Sequence, residues 1–342
     1  MNTQLLINWY RQNKRDLPWR NTKDPYKVWL SEIILQQTRV AQGLPYFEKF
    51  ITAFPGILDL AQAQEQEVLK LWQGLGYYSR ARNLHYTARE IVNNFQGIFP
   101  SKYKDILKLK GIGEYTAAAI ASFCSDEPVP VIDGNVYRVL SRIKGISVPI
   151  NTTEGKKKFK KIADEHLDYT QPAIYNQAIM EFGALQCTPS LPNCNICPFQ
   201  NDCIAYQTGK VHELPVKLSK LKIKKRQLHY FLVKYENKII LKKRKKKDIW
   251  QNLYELPLIE INPEEKINKH HLNQLYKTFN IKPAESPQYL FRTNHKLTHR
   301  NLEIHFWYIL SKTPPNQLIN VNDLNEYPLP VVIANFLENY NL

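Results

Sequence analysis

Cysteine is almost absent from this 342-residue chain. Five are present, and all but Cys124 fall in the single stretch CTPSLPNCNICPFQNDC, residues 187 to 203. A disulfide framework spread through the fold is therefore excluded. Long apolar runs are missing too: nowhere do about 18 uncharged apolar residues follow one another, so no transmembrane helix is expected. The opening MNTQLLINWYRQNKRDLPW is polar and amphipathic without a long apolar core, so no secretory signal is expected. That points to a reducing, cytoplasmic location, where clustered thiols more often hold metal than pair. Acidic charge is scarce: 31 Asp and Glu stand against 47 Lys and Arg, giving a net charge of +16 and a pI near 9.4. Such an excess favours a polyanionic partner, most simply nucleic acid. A basic surface that serves solubility alone is the alternative.

What is present divides at a compositional shift. From residue 1 to about 206 the spacing is helical, with few alternating strands and no short repeat. WLSEIILQQTRVAQ carries Leu30, Ile33, Ile34 and Val40 at helical intervals, and EQEVLKLWQGLGYYSRARNLHYTAREIVNNF reads as two helices broken at Gly74 and Gly76. Residues 207–226, ending in KLSKLKIKKR, read as a polar, basic linker. Strand patterns follow in LHYFLVKY, KIILKKR, PQYLFRT and LEIHFWYIL, with a helix around HHLNQLYKTF, so 227–342 reads as a separate α+β domain.

The cysteine spacing is C-x6-C-x2-C-x5-C, at Cys187, Cys194, Cys197 and Cys203. Four thiolates can surround one metal centre, and ligand count alone does not separate zinc from an iron–sulfur cluster. LKLKGIGEYTAAAI, residues 107 to 120, has a second signature. Gly111 and Gly113 let backbone approach a phosphate, and the helix that follows aims its N–H groups there. Two carboxylates stand out. Glu32 sits off the apolar stripe of its helix, where an exposed surface glutamate is the plain reading. Asp133, in VIDGNV, precedes a helix, where an N-cap aspartate is the plain reading.

Together these motifs resemble the endonuclease III and MutY branch of DNA glycosylases. PYKVWLSEIILQQTRV, LWQGLGYYSRARNL and VIDGNVYRVLSRI are similar to three signatures of the MutY adenine glycosylases, and the resemblance covers almost the whole chain. It implies a multidomain protein. An all-α helix-hairpin-helix glycosylase domain, 1–206, carries an iron–sulfur loop at 187–203, and an α+β Nudix-like domain, 227–342, recognises 8-oxoguanine. It implies one [4Fe–4S] cluster on Cys187, Cys194, Cys197 and Cys203. Glu32 is implied as the acid that protonates adenine, Asp133 as the anion beside the cationic sugar, and Asn135 as the residue orienting water or substrate. Arg20 and Glu181 match positions lining the adenine pocket. Gln37, Thr38, Leu75 and Tyr77 match positions that approach the opposing base and wedge the stack. Gly111 and Gly113 match the phosphate-holding hairpin.

One absence then sets the reaction type. Lyase-type relatives carry a lysine after the hairpin, and here that position is Tyr115. A tyrosine cannot form an imine, so strand cleavage through this position is excluded. The implied substrate is double-stranded DNA with adenine opposite 8-oxoguanine or guanine. The implied protein is a monomer with no membrane contact, lying on the nucleoid of a bacterium, with a replication clamp or mismatch-repair protein as candidate partner. In the C-terminal domain, DIWQNLYELPLIE resembles the L-W-x-x-L-x-x-x-P signature of the family, whereas the glutamate-rich R-E-x-x-E-E of a Nudix hydrolase is missing. Recognition rather than hydrolysis is therefore expected. Leu297, Thr298 and His299 stand where Phe-Ser-His is common, so Thr298 and His299 are implied lesion contacts. Asn252 stands where many relatives have glycine, the choice expected if that position needs positive φ. The run LKKRKKK, 241 to 247, reads as a solvated strand end with weak attraction to DNA.

Overall fold

The computed structural model describes residues 1–218 and 223–340. The chain forms two compact units. One comprises Met1–Gln62 with Asn83–Ser219, the other Ala63–Arg82 with Lys220–Leu342. Among the described residues, no helix is long and apolar enough to cross a membrane.

The first unit is helical. Pro25–Leu35 starts on an Asp24 cap whose side chain accepts from the Tyr26 N–H, with Pro25 at the first position, where its missing N–H costs nothing. Eight of its eleven residues are buried, Ser31 and Glu32 among them. It is a central helix, packed against Val40–Ala53 and Glu114–Ser125. The single apolar stripe assumed for it in the sequence is therefore absent, and Glu32 is not an exposed surface glutamate. Gly134–Lys144 and Pro172–Leu185 pack against each other around Val136, Val139, Leu140, Phe159, Phe182 and Phe199. Gly183 permits this approach: a Cβ there would meet the Asn135 backbone oxygen at 3.0 Å. Phe199, from within the cysteine loop, is fully buried in this core, edge-on to Phe182.

Part of the stretch expected as linker is tied to this unit. Ile150 N–H donates to Val216 O, the Arg142 Nε donates to Leu214 O, and Leu214 is buried. A basic composition signals solvent exposure of side chains and says nothing about these backbone partners. Residues 219–222 of the expected linker lie outside the described residues.

The second unit is built on a mixed sheet. Its strands are β1 Lys224–Tyr235, β2 Lys238–Ile240, β5 Leu258–Ile261, β6 Gln288–Leu297, β7 Arg300–Leu310 and β8 Leu318–Asn320. The order is β6-β7-β1-β2-β8, with β5 also on β1. Among the described residues, β1 and β7 are the parallel pair and the other pairs run antiparallel. β3 Lys242–Lys243 and β4 Tyr254–Glu255 form a separate pair. Central β1 is buried over six consecutive residues, as expected for a strand covered on both faces. The helix Lys269–Phe279 caps one face through Leu275 and Phe279.

The loop before β4 uses Asn252 at φ +67° and Trp250 at φ +59°. Asparagine thus fills the left-handed position anticipated from sequence, and its side chain donates to Glu65 Oε1 at 2.8 Å. Asn252→Val should lower stability by about 1–2 kcal/mol, because a β-branched residue is strained at positive φ. Asn252→Gly should cost less. Urea denaturation of the two variants checks the order.

Candidate active site

Three helices bring the predicted catalytic residues together. Pro25–Leu35 carries Glu32. Glu114–Ser125 carries Tyr115 as its second residue, just after its Gly113 N-cap. Gly134–Lys144 is capped by Asp133. The Tyr115 hydroxyl donates to Glu32 Oε2 at 2.5 Å. Asp133 Oδ1 accepts from the Val136 N–H at 2.8 Å, and its Oδ2 accepts from Asn135 Nδ2 at 2.7 Å. The N-cap reading of Asp133 is correct, and it does not exclude a chemical role.

Burial dominates the electrostatics. It pushes the Glu32 carboxyl up to about 7, and the nearby charge of Asp133 adds to the rise. The Tyr115 hydroxyl and Arg20 pull it back. Burial also raises Asp133, opposed by its two hydrogen-bond donors and by Arg138. Tyr115 is raised well above its usual range by burial and by both carboxylates, so it stays a neutral donor. Glu32, Tyr115 and Asp133 therefore share one low-dielectric environment, a common setting for acid–base chemistry.

Arg20 and Glu181 form an ion pair inside this unit. Arg20 donates to both Glu181 oxygens at 2.7 and 2.6 Å. Arg15 donates to the same carboxylate from its backbone N–H and Nε at 2.9 Å and from Nη2 at 2.6 Å. Burial alone would raise Glu181, but these donors hold it at about 2. Gln36, one turn beyond Glu32, donates to Thr116 Oγ1 at 3.3 Å. Gln37 lies exposed at φ +56° beside Thr38, in the turn that ends the Glu32 helix.

The hairpin has the form expected. Gly111 sits at φ +78°, and a Cβ there would collide with Asn83 at 2.6 Å. Ile112 is buried, and Gly113 opens the next helix. Thr87 Oγ1 ties the turn by donating to Lys110 O at 2.7 Å.

All four loop cysteines are free thiols and line one pocket. Among the described residues, no three His, Cys, Asp or Glu side chains close on a single ion. Arg142, 2% exposed, reaches into this loop. It donates to Cys187 Sγ at 3.4 Å, Thr188 O at 2.7 Å and Pro189 O at 2.9 Å. One turn earlier, Arg138 donates to Cys187 O at 2.7 Å, Gly183 O at 2.5 Å and Asn135 Oδ1 at 2.8 Å.

In the second unit, Tyr77, Thr298 and His299 line one recess with Trp250, Leu297 and Arg82. The Tyr77 and Thr298 hydroxyls are hydrogen-bonded. Tyr77 is 44% exposed at φ +48°, while Leu75 and Tyr78 are buried.

Residues 30–165 match the model of the HhH-GPD superfamily base excision DNA repair proteins, and residues 229–339 match a NUDIX domain. The chain is 36% identical to the adenine DNA glycosylase of Buchnera aphidicola from Acyrthosiphon pisum, over 99% of this chain and 97% of that one. The chain belongs to the adenine DNA glycosylase family. A second Buchnera glycosylase, from Schizaphis graminum, is 39% identical over 79% of each chain. A thermostable thymine-DNA glycosylase structure is 28% identical with a TM-score of 0.56, covering 60% of this chain and 95% of that one. A non-covalent endonuclease III–DNA complex matches 61% of this chain and 98% of that one at 17% identity and a TM-score of 0.53, a likeness of fold. The glycosylase thus has the expected fold, a helix-hairpin-helix glycosylase domain followed by a NUDIX-like domain.

Sequence reasoning missed Arg15, Arg138, Arg142 and Asn176 in this glycosylase. Asn176 is 1% exposed. It accepts from the Val131 N–H at 3.1 Å and donates to Val129 O and Ser122 Oγ at 2.9 Å, fixing the segment that leads to Asp133. The available signal was arginine at positions 138 and 142, one turn apart in a helix otherwise carrying Val136, Val139, Leu140 and Ile143 inward.

Glu181→Gln should destabilise the fold by about 3 kcal/mol, since it leaves two guanidinium groups facing an uncharged amide. The folded-state pKa lies below the ordinary 4.5, so the carboxylate's contribution is present above that value and is lost as pH falls toward 2. Urea unfolding at pH 7 and pH 3 should show the difference between wild type and variant shrinking at the lower pH.

Proposed function

We propose that this glycosylase removes adenine paired with 8-oxoguanine or guanine from duplex DNA, by acid-assisted cleavage of the N-glycosidic bond without strand scission. The observation that carries the reading is Glu32, buried, raised to about 7, hydrogen-bonded to Tyr115 and close enough to Asp133 to feel its charge. Adenine is a poor leaving group until protonated. Glu32 in its acid form gives a proton to the extruded base as the bond between base and sugar breaks. The sugar then carries oxocarbenium character, and Asp133 as carboxylate offsets that charge. Asn135 holds Asp133 in place, and Arg138 holds Asn135. Water completes the abasic product. Tyr115 supplies no amine, so no imine links enzyme to DNA.

The surrounding roles follow the same reading. Gly111 and Gly113 hold a phosphate at the helix start. Gln37 and Thr38 of the first unit are assigned to contacts with the base opposite adenine, and so, in the second unit, are Leu75, Tyr77, Thr298 and His299. Arg20 and Glu181 frame the adenine pocket. Cys187, Cys194, Cys197 and Cys203 would hold a [4Fe–4S] cluster. Their free thiols around one pocket, and the lattice of donors from Arg142, fit such a group. When bound it would order the loop 187–203 rather than take part in base removal.

Glu32→Gln or Asp133→Asn should reduce single-turnover adenine release by at least about 100-fold, the scale of a lost general acid, with duplex binding retained. Normal turnover by either variant would overturn these roles, and a strong borohydride-trapped adduct would overturn the monofunctional assignment. Because Glu32 works as an acid, the wild-type rate should fall as pH rises through about 7. A rate rising across that window would make Glu32 a base instead. The purified protein should be brown, with broad absorbance at roughly 400 nm from thiolate-to-iron charge transfer. A colourless protein carrying zinc would remove the cluster.

A further inference from the structure

Asp133 is reached by a stretch of chain with no regular structure of its own. The helix Glu114–Ser125 ends on Asp126 at φ +51°, and the chain then runs irregularly to the Asp133 cap. Pro128 and Pro130 lie in this stretch and carry no N–H, so it cannot join a continuous ladder. Val131 is 1% exposed and packs on Ala118 and Ala119 of the Tyr115 helix. Buried peptide groups in such a stretch need partners from elsewhere.

At its start the stretch is held by Glu127. The Glu127 N–H donates to Ala121 O at 3.1 Å, and the Glu127 carboxylate accepts from the Tyr103 N–H at 2.7 Å. Nearer Asp133 the partner is one side chain. Asn176 Nδ2 donates to Val129 O at 2.9 Å, and Asn176 Oδ1 accepts from the Val131 N–H at 3.1 Å. A residue on a neighbouring parallel strand would serve the same two groups, on either side of Pro130. The other amide hydrogen goes to Ser122 Oγ at 2.9 Å. Both donors and the acceptor of this carboxamide are thus used. At 1% exposure Asn176 is too enclosed to touch substrate. It stands on Pro172–Leu185, the helix of Glu181, while Ser122 stands on the helix of Tyr115. One carboxamide therefore ties two helices of the site to the approach to Asp133.

We infer that Asn176 is a positioning residue for adenine excision, its carboxamide setting where Asp133 stands relative to Glu32 and Tyr115. The inference rests on the role of Asp133 given above. Ile132 alone separates Val131 from Asp133, so a shift at Val131 passes to the carboxylate. Misplacing a reacting group by about 1 Å can cost on the order of 100-fold in rate. A displaced Asp133 has an electrostatic consequence too. Its charge adds to the rise in the Glu32 pKa, so moving it away lets that pKa fall. The other groups acting on Glu32 are Tyr115 and Arg20, and neither is a hydrogen-bond partner of Asn176 among the described residues.

Single-turnover adenine release by full-length Asn176→Ala and Asn176→Leu tests this. Both should lose at least about tenfold in rate while affinity for a duplex with a non-cleavable adenosine analogue stays within about twofold. The alkaline fall of the rate should also move below the wild-type midpoint. Ser141→Ala is the stability control. It removes a buried hydrogen bond to Ile146 O from the Asp133 helix and should keep its rate within about twofold. An equal loss of rate in Ser141→Ala would reduce the effect to destabilisation and overturn the inference. Loss of duplex affinity in step with rate would overturn it as well, by making Asn176 a support of the DNA surface. Should the Asn176 variants not fold, amide exchange in the wild type decides: the Val131 N–H should exchange as slowly as the amides of Glu114–Ser125, and open-loop exchange there would overturn the inference. Normal turnover by Asp133→Asn would remove the role of Asp133 and this inference with it. Normal turnover by the Asn176 variants beside an inactive Asp133→Asn would remove this inference alone.

Discussion

The candidate site depends on one constraint, the burial of a carboxyl group beside a second carboxyl group. Water stabilises a carboxylate by far more than most protein interiors do, so a glutamate enclosed by a central helix resists ionisation. The sequence of the Pro25–Leu35 helix makes that enclosure. Its neighbours Val28, Trp29, Leu30, Ile33 and Ile34 are buried on all sides, so there is no wet face for Glu32 to occupy. Asp133 experiences the same burial, yet it caps a helix and accepts two short hydrogen bonds, which favour its charged form. Burial raises both acids, and at Asp133 the cap and the Asn135 amide oppose that rise, so the two carboxyls sit in different environments although both are enclosed.

The helix Gly134–Lys144 joins this centre to the cysteine loop. Its first residues set Asp133 and Asn135, its middle carries Arg138, and its last turn carries Arg142. Arg138 touches both ends: Asn135 Oδ1 on one side, Cys187 O on the other. Arg142 then holds the carbonyls of Thr188 and Pro189. Buried guanidinium groups are costly unless their donors are used, and here carbonyl oxygens of the loop use them. The loop's backbone is therefore part of what keeps the aspartate cap in place.

Much of this was legible in the sequence, and the rest for physical reasons was not. The break at Gly74 and Gly76, both at positive φ, and the strands from LHYFLVKY onward follow from local chemistry. The hairpin at Gly111 does as well. Glu32 did not follow. Periodicity assumes a helix with one wet side, and a helix buried all round leaves no such signature. The partners of Glu181 were equally hidden, because Arg15 lies 166 residues away and only folding brings it near. The basic stretch after the cysteine loop read as linker from composition, yet Val216 and Leu214 offer carbonyls that the helical unit uses. Side-chain charge is local information, and backbone pairing is not.

The Arg15–Glu181–Arg20 cluster bears on Glu32 as well as on stability. A guanidinium close to a carboxyl group lowers its pKa, and Arg20 does act on Glu32 in that direction. It is nevertheless the weakest of the influences on Glu32, behind burial, the Tyr115 hydroxyl and Asp133. Glu181 explains why. Its carboxylate takes two hydrogen bonds from Arg20 and stays ionised under the added pull of Arg15, so most of the Arg20 field is spent on a fixed partner. The ion pair thus keeps Arg20 in place while burial holds the Glu32 carboxyl up at about 7.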